Sequence, residues 1–304
     1  MFKRIGLFLI TNLAIIIVLS VVIFLVERFF GIDVTGYAGG NYVGLLIFAL
    51  MFGFGGSFIS LLISKWMAKR AYGVVCVRLE DYSNLSSKEK IVFDLVRDLA
   101  ERSHITMPEV GFYQSAEPNA FATGASKNNS LVAVSSGLLN TMNKDEIEGV
   151  IAHEMAHILN GDMVTMTLLQ GVINTFVIFI SRVLAGIVDS YLNKGEERDG
   201  HSWAYMGLSL LFEMIFGILA SLITMWFSRH REYRADAGSA EFVGKNKMIA
   251  ALEALKNMKD LAGKDNSELA TMKISTKGKT GFMMLFSTHP DLDDRINALK
   301  NLNI

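Results

Sequence analysis

Two stretches of this chain, Ile5–Val26 and Tyr42–Ser64, contain no charged residue and few polar ones. A helix needs about 20 apolar residues to cross the hydrocarbon core of a bilayer, so each stretch suffices for a span. Lys3 and Arg4 precede the first, as in a signal peptide. Its apolar part is too long for one, and Glu27-Arg28-Phe29-Phe30 follows in place of a small-residue cleavage site, so it reads as a retained anchor. Two later runs also qualify. Trp203–Phe227 holds one charge, Glu213, and Met163–Ile187 is diluted by Thr165, Gln170, Asn174 and Arg182. Both are expected to span; the competing reading is a helical hairpin packed on protein. A composition of 51% hydrophobic and 19% charged residues agrees with about four transmembrane helices.

The flanking charges set an orientation. Lys3, Arg4, Lys65, Lys69, Arg70, Arg229, Arg231 and Arg234 fall on one side of a four-span chain, while segments 27–41 and 188–202 hold only Arg28, Lys194 and Arg198. Basic residues stay on the cytoplasmic side, which puts both termini and residues 65–162 there. Trp66, Trp203 and Trp226 stand at expected span ends, where an amphipathic ring favours the interface. In the second span, Ala49, Gly53 and Ser57, and likewise Gly56, Ser60 and Ser64, recur every four residues, a spacing that admits a close helix neighbour. Glu213 cannot face lipid while ionised, and Arg182 is its expected partner. A four-span transporter or channel would need several polar groups meeting at mid-membrane, and Glu213 is the one deep charge. The net charge of −1 gives no basic field for nucleic acid. The single cysteine, Cys76, excludes an intrachain disulfide and a thiolate metal cage; it reads as a small hydrophobe between valines.

Residues 65–162 have the pattern of a soluble domain. Ser86 and Glu89 form a capping-box pair ahead of a helix reaching about His104, with Ile91, Leu95 and Leu99 along one side. Short strands are expected at 109–114, 119–123 and 130–135, then a helix over 144–160. That helix contains His153-Glu154-Met155-Ala156-His157. Residues four apart share a helix face, so both imidazoles can converge on one ion. Zinc accepts neutral imidazole and, in a catalytic site, keeps a position open for water. Glu154 is within reach of such a water and can take its proton as it attacks a peptide carbonyl. Two surface histidines on a helix would be the bland alternative.

A third ligand has to come from elsewhere: His104, His201, His230, His289 or a carboxylate. In Ser228-Arg229-His230-Arg231-Glu232-Tyr233-Arg234-Ala235-Asp236, Glu232 and Asp236 share a helix face, so Glu232 could bind the ion and Asp236 accept an N–H from a ligand histidine. HEMAH, SRHREYRAD, the paired hydrophobic segments and STHPDLDDR near the end together resemble the HtpX family of bacterial heat-shock membrane metallopeptidases, related to the CAAX-prenyl endopeptidases. The resemblance covers nearly the whole chain. It implies that Glu232 is the third zinc ligand, one Zn2+ per chain, with Asp236 behind a histidine. It also suggests that His289 stabilises the oxyanion or covers the open metal position while Arg295 anchors its loop, although a helix-capping Thr288-His289-Pro290 turn would look the same. Asn119-Ala120-Phe121-Ala122 is similar to the segment that, in related enzymes, aligns extended substrate; a core strand is the plain alternative. Asn160 and Asp162 match the family pattern without an assigned role beyond ending the helix. His104 and His201 read as a helix end and a loop.

The expected fold is an α-rich α+β integral membrane protein with a zincin-like metallopeptidase domain and a small β-sheet. Transmembrane pairs at 1–64 and 163–227 alternate with catalytic segments at 65–162 and 228–304. By resemblance the substrates are polypeptides, damaged membrane proteins among them, and the location is the bacterial cytoplasmic (inner) membrane. A metal-binding membrane scaffold or chaperone without turnover is the alternative, disfavoured because a structural site has no need of Glu154.

Overall fold

The computed structural model describes Arg28 and residues 42–192, 202–265 and 290–303. The run Ile5–Val26, His201 and His289 lie outside them. Two compact units emerge: one takes the described residues up to Leu62 with Thr165–Thr224, the other Ile63–Val164 with the described residues from Met225 onward.

Three helices are long and apolar enough to cross a bilayer: α1 (Tyr42–Tyr72), α5 (Asp162–Leu192) and α6 (Trp203–Val243). In the first unit, Leu210, Met214, Ile218, Leu219 and Ile223 of α6 stay more than half exposed, an apolar surface suited to lipid. Ala49, Gly53 and Ser57 are buried, and a side chain at Gly53 would meet Thr175 of α5 at 2.3 Å. The companion row does not share this role, since Ser60 is exposed. Arg182 and Glu213 form the expected ion pair, and Phe48 lies 4.9 Å from the Arg182 guanidinium. All three tryptophans are exposed, as interface anchors would be, but α6 runs through Trp226 without a break.

The second unit is built on a four-stranded sheet. Its strands are β1 (Val75–Val77), β2 (Glu109–Tyr113), β3 (Ala120–Ser126) and β4 (Asn129–Ser135), in the order β1-β2-β4-β3. β2 and β4 run parallel, pairing Val110 with Val132; the other pairings are antiparallel, with Phe121 opposite Ala133. α2 (Ser87–Arg102) opens on the expected box: Ser86 accepts from the Glu89 amide and Glu89 from the Ser86 amide. After a short helix, α3 (Ser136–Thr141), comes α4 (Lys144–Asn160), capped in the same reciprocal way by Asn143 and Glu146. Val96 and Leu99 of α2, Val132 and Val134 of β4, and Ile147, Ile151 and Met155 of α4 form the main core. Their apolar periods, two for the strands and 3.6 for the helices, put these faces together.

α7 (Lys245–Asp265) lies against α4, and α8 (Leu292–Lys300) against α7. The approach to α4 is close enough that a Cβ at Gly149 would sit 2.6 Å from the Lys247 carbonyl oxygen. Ser239 of α6 donates to the Gly149 carbonyl at 2.9 Å, so α4 is held from two sides. Met248 and Leu252 of α7 join Ala240, Ile296 and Leu299 in a second, smaller core. The mostly helical chain with a small mixed sheet is the fold class the sequence implied.

Candidate metal centre

α4 turns His153 and His157 to one side, with their rings 4.7 Å apart and nearly perpendicular. The Nε2 atoms are 3.1 Å apart. Across from them α6 presents Glu232, whose Oε2 is 3.5 Å from His153 Nε2 and whose Oε1 is 3.5 Å from His157 Nε2. Glu232 is 2% exposed, too deep for an ionised carboxylate without cationic partners. One turn further along α6, Asp236 Oδ1 faces His153 Nδ1 at 2.9 Å, close though not well aligned for a hydrogen bond.

His157 has a carboxylate of its own, which spacing did not reveal. Gly161 takes a left-handed φ of 70° and ends α4. Asp162, the next residue, begins α5 and lies 2.6 Å from His157 Nδ1 through its Oδ2. Its other oxygen accepts from Arg234 at 3.1 Å. On an unbroken helix, residues five apart point in different directions; the turn at Gly161 brings them together. The sequence reading had Asp162 ending the helix, and the match to the family pattern was the available signal.

Each ring therefore has a carboxylate at Nδ1, which holds the proton there and leaves the Nε2 lone pair aimed inward. Two such lone pairs 3.1 Å apart and a carboxylate at 3.5 Å from both repel one another unless a cation or protons lie between them. Tetrahedral ligands at about 2.0–2.2 Å from zinc stand roughly 3.3–3.6 Å apart; the two separations from Glu232 fall in that range and the 3.1 Å between the Nε2 atoms is slightly tighter. These three residues are the His, Cys, Asp and Glu group able to hold a metal among the described residues. The electrostatics agree. Burial pushes the His157 imidazole down, but the bonds to Asp162 and Glu232 outweigh it and raise its pKa to about 9. His153 shows the same contest and the same upward direction, through Asp236 and Glu232. The pocket stabilises positive charge.

Arg295, from α8, is 6% exposed and grips Asp236 with two hydrogen bonds, Nε to Oδ2 at 2.7 Å and Nη2 to Oδ1 at 2.6 Å. Its Nη1 is 3.5 Å from Glu232 Oε2. Sequence reading had it anchoring a loop; it ties α8 to the two carboxylates of α6. Despite burial, which pushes the Asp236 carboxyl up, Arg295 and His153 hold it below its ordinary value.

A cleft of about 390 Å³ opens on the three donors, and Glu154 lines it beside them. Asn119, Ala120, Phe121 and Ala122 also line it, and β3 is an edge strand of the sheet, not a central one. The other histidines stand apart. His230 is exposed and stacks on Trp226, and His104 ends α2 with a left-handed φ of 53°.

An inward-facing HExxH pair with a carboxylate from a second helix, in a chain with three bilayer-length helices, has the makings of a membrane metalloprotease. The comparisons agree. A model of Peptidase family M48 matches residues 86–303, and the chain belongs to that family. Protease HtpX of Tolumonas auensis is 53% identical over 302 residues, covering 99% of each chain. Protease HtpX of Escherichia coli (strain K12 / DH10B) is 48% identical over 301 residues, covering 98% of this chain and 97% of that one. The resemblance inferred from HEMAH and SRHREYRAD is thereby borne out. The crystal structure of S. mikatae Ste24p shares the fold at a TM-score of 0.61 and 18% identity, covering 95% of this chain. This chain spans 65% of that one.

Proposed function

We propose that the chain is a zinc endopeptidase in which His153, His157 and Glu232 hold one ion and Glu154 is the general base. The observation that carries this is the inward convergence of two Nε2 atoms and a buried carboxylate, each ring backed by its own carboxylate. Bound zinc would supply Lewis acidity, polarising the peptide carbonyl and acidifying a water. Glu154 then takes the water proton and returns it to the leaving amine. Asp162 and Asp236 keep each imidazole in the tautomer that presents Nε2, and Arg295 keeps Asp236 in place. The edge of β3 that is unpaired among the described residues, with Asn119 just before it and Ala120, Phe121 and Ala122 on it, aligns extended substrate by backbone hydrogen bonds. His289 is proposed to stabilise the oxyanion.

We further propose a multi-pass protein of the bacterial cytoplasmic (inner) membrane, with residues 65–162 and 228–304 forming a cytoplasmic catalytic domain and the termini on the same side. The basic residues flanking the apolar runs support this. Quality control of misfolded membrane proteins is the physiological role we propose, as the resemblance stated above implies.

Purified protein is expected to degrade an unfolded substrate such as casein, to stop after chelation and to recover with added zinc. Chelator-resistant, Glu154-independent cleavage would sink the reading. For topology, Thr35→Cys and Gly195→Cys in a Cys76→Ala background should react with an impermeant thiol reagent from outside. Glu80→Cys and Asp265→Cys should react only once the membrane is opened. Protection of Gly195→Cys alongside Asp265→Cys would mean that residues 163–227 do not span.

A further inference from the structure

Glu232 lies between two arginines that are placed alike and held differently. On the His153 side, Arg295 bonds to Asp236, the carboxylate at His153 Nδ1. It also lies 3.5 Å from the Glu232 oxygen that faces His153 Nε2. On the His157 side, Arg231 Nε is 3.9 Å from Asp162 Oδ2, the atom at His157 Nδ1. Its Nη2 is 3.7 Å from Glu232 Oε1, which faces His157 Nε2. Arg295 is locked by two short hydrogen bonds. Arg231 is not: 3.7 and 3.9 Å are ion-pair separations, too long for hydrogen bonds. Its Nε is buried without a hydrogen-bond acceptor among the described residues, yet the side chain lines the cleft. Charge balance does not account for it, because Asp162 already accepts from Arg234 at 3.1 Å and Glu232 already has Arg295. A guanidinium 3.7 Å from an ion-binding carboxylate also works against a divalent cation there. What it favours is negative charge arriving in the cleft.

We propose that Arg231 is a further catalytic residue, a donor to the reacting carbonyl oxygen as it becomes an oxyanion, beside the one proposed at His289. The proposal deepens the peptidase reading above and rests on it. A peptide carries no charge at its scissile bond until water attacks; the carbonyl carbon then becomes tetrahedral and its oxygen takes the negative charge. The guanidinium keeps its protons throughout, so it stabilises that charge and leaves proton transfer to Glu154. Because its N–H groups are committed to no hydrogen bond among the described residues, they need break none to reach the oxygen. An interaction made with the tetrahedral species alone raises turnover and leaves substrate affinity as it was.

The test uses full-length, zinc-loaded protein in detergent. Arg231→Met keeps most of the side-chain volume and removes the donors. It should lower kcat on a quenched peptide by on the order of 100- to 1,000-fold, with KM nearly unchanged. Arg231→Lys restores one charged donor and should regain part of the loss. Two readouts do not depend on turnover. A phosphinic peptide, whose anionic tetrahedral phosphorus stands in for the oxyanion, should bind Arg231→Met more weakly by about the same factor, read by calorimetry. The cleavable peptide should bind Glu154→Gln protein equally well with and without Arg231→Met. Zinc affinity should be no weaker than in the wild type, and ion-free Arg231→Met should unfold close to it, since no hydrogen bond among the described residues is lost. If Arg231→Met does not fold, Arg231→Gln carries the same comparisons. Unchanged kcat in the folded variant would overturn the role of Arg231 alone. So would a loss that falls on KM and peptide affinity, or one that follows lost zinc. Absence of any Glu154-dependent cleavage by the wild type would overturn the peptidase reading with it.

Discussion

Zinc content and turnover should separate cleanly across the four central residues. His153→Ala, His157→Ala and Glu232→Ala are each expected to lose the ion and all activity. Glu154→Gln should keep close to one zinc per chain and be inactive. The distinction follows from position: the first three supply the converging atoms, whereas Glu154 lines the cleft beside them. Removing one of three protein ligands leaves an open site too weak to retain zinc. Glu154→Gln preserves shape and removes only the ability to accept a proton. Asp162→Asn and Asp236→Asn should fall between, weakening zinc by about 10–100-fold, because each alters the acceptor behind one imidazole. Binding should also release protons. In the ion-free chain the pKa of His157 is about 9, so at pH 7 the ring carries a proton that zinc must expel. For one such proton, apparent affinity rises about tenfold per pH unit and levels off above about pH 9. Metal analysis, chelator competition at several pH values and peptide turnover check each part. Full zinc occupancy and normal turnover in Glu232→Ala would show that the third ligand lies elsewhere.

The second large effect is expected at Arg295. Its guanidinium makes both hydrogen bonds to Asp236 and lies 3.5 Å from Glu232, all three groups being buried. Arg295→Met removes the guanidinium that, among the described residues, is bonded to Asp236, while keeping most of the side-chain volume. Breaking a buried pair in this way costs about 3–5 kcal/mol, since Asp236 is left with His153 alone and Glu232 loses a nearby positive charge. Thermal unfolding of the ion-free protein should come on the order of 10 °C earlier. Arg295→Lys keeps the charge without the two-pronged geometry and should be intermediate. Adding Asp236→Leu to Arg295→Met removes the stranded charge and should recover much of the stability. It should not recover zinc affinity, because His153 then has no acceptor at Nδ1. If Arg295→Met unfolds with the wild type, the bidentate contact contributes nothing to holding α8 on α6.

How far the chain could be read in advance depended on whether a feature was local. HEMAH, the Glu232–Asp236 pair and the capping boxes at Ser86 and Asn143 are relations within one or two helical turns. Helix geometry converts such spacings into shared faces without knowledge of the rest of the fold. Apolar runs long enough for a bilayer are equally local, which is why α1, α5 and α6 were anticipated. The short β1 and α3 went unseen, because each has too few residues to show a period.

The remainder depended on parts of the chain far apart in sequence. Spacing alone left several histidines as rivals for the place opposite the two imidazoles; the resemblance pointed to Glu232, and the structure puts it 3.5 Å from both rings. Asp162 looked like the end of a helix until the left-handed turn at Gly161 swung it onto His157. Arg295 gained its partners through the packing of α8 on α7 and of α7 on α4. The lining of the cleft joins residues as far apart as Asn119 and Arg295, which spacing alone does not bring together. The sequence by itself thus determined the chemistry and the helices that carry it, because those depend on a residue and its near neighbours. The tertiary structure decided what surrounds the chemistry, because burial, charge pairing and cavity shape arise only where separate elements meet.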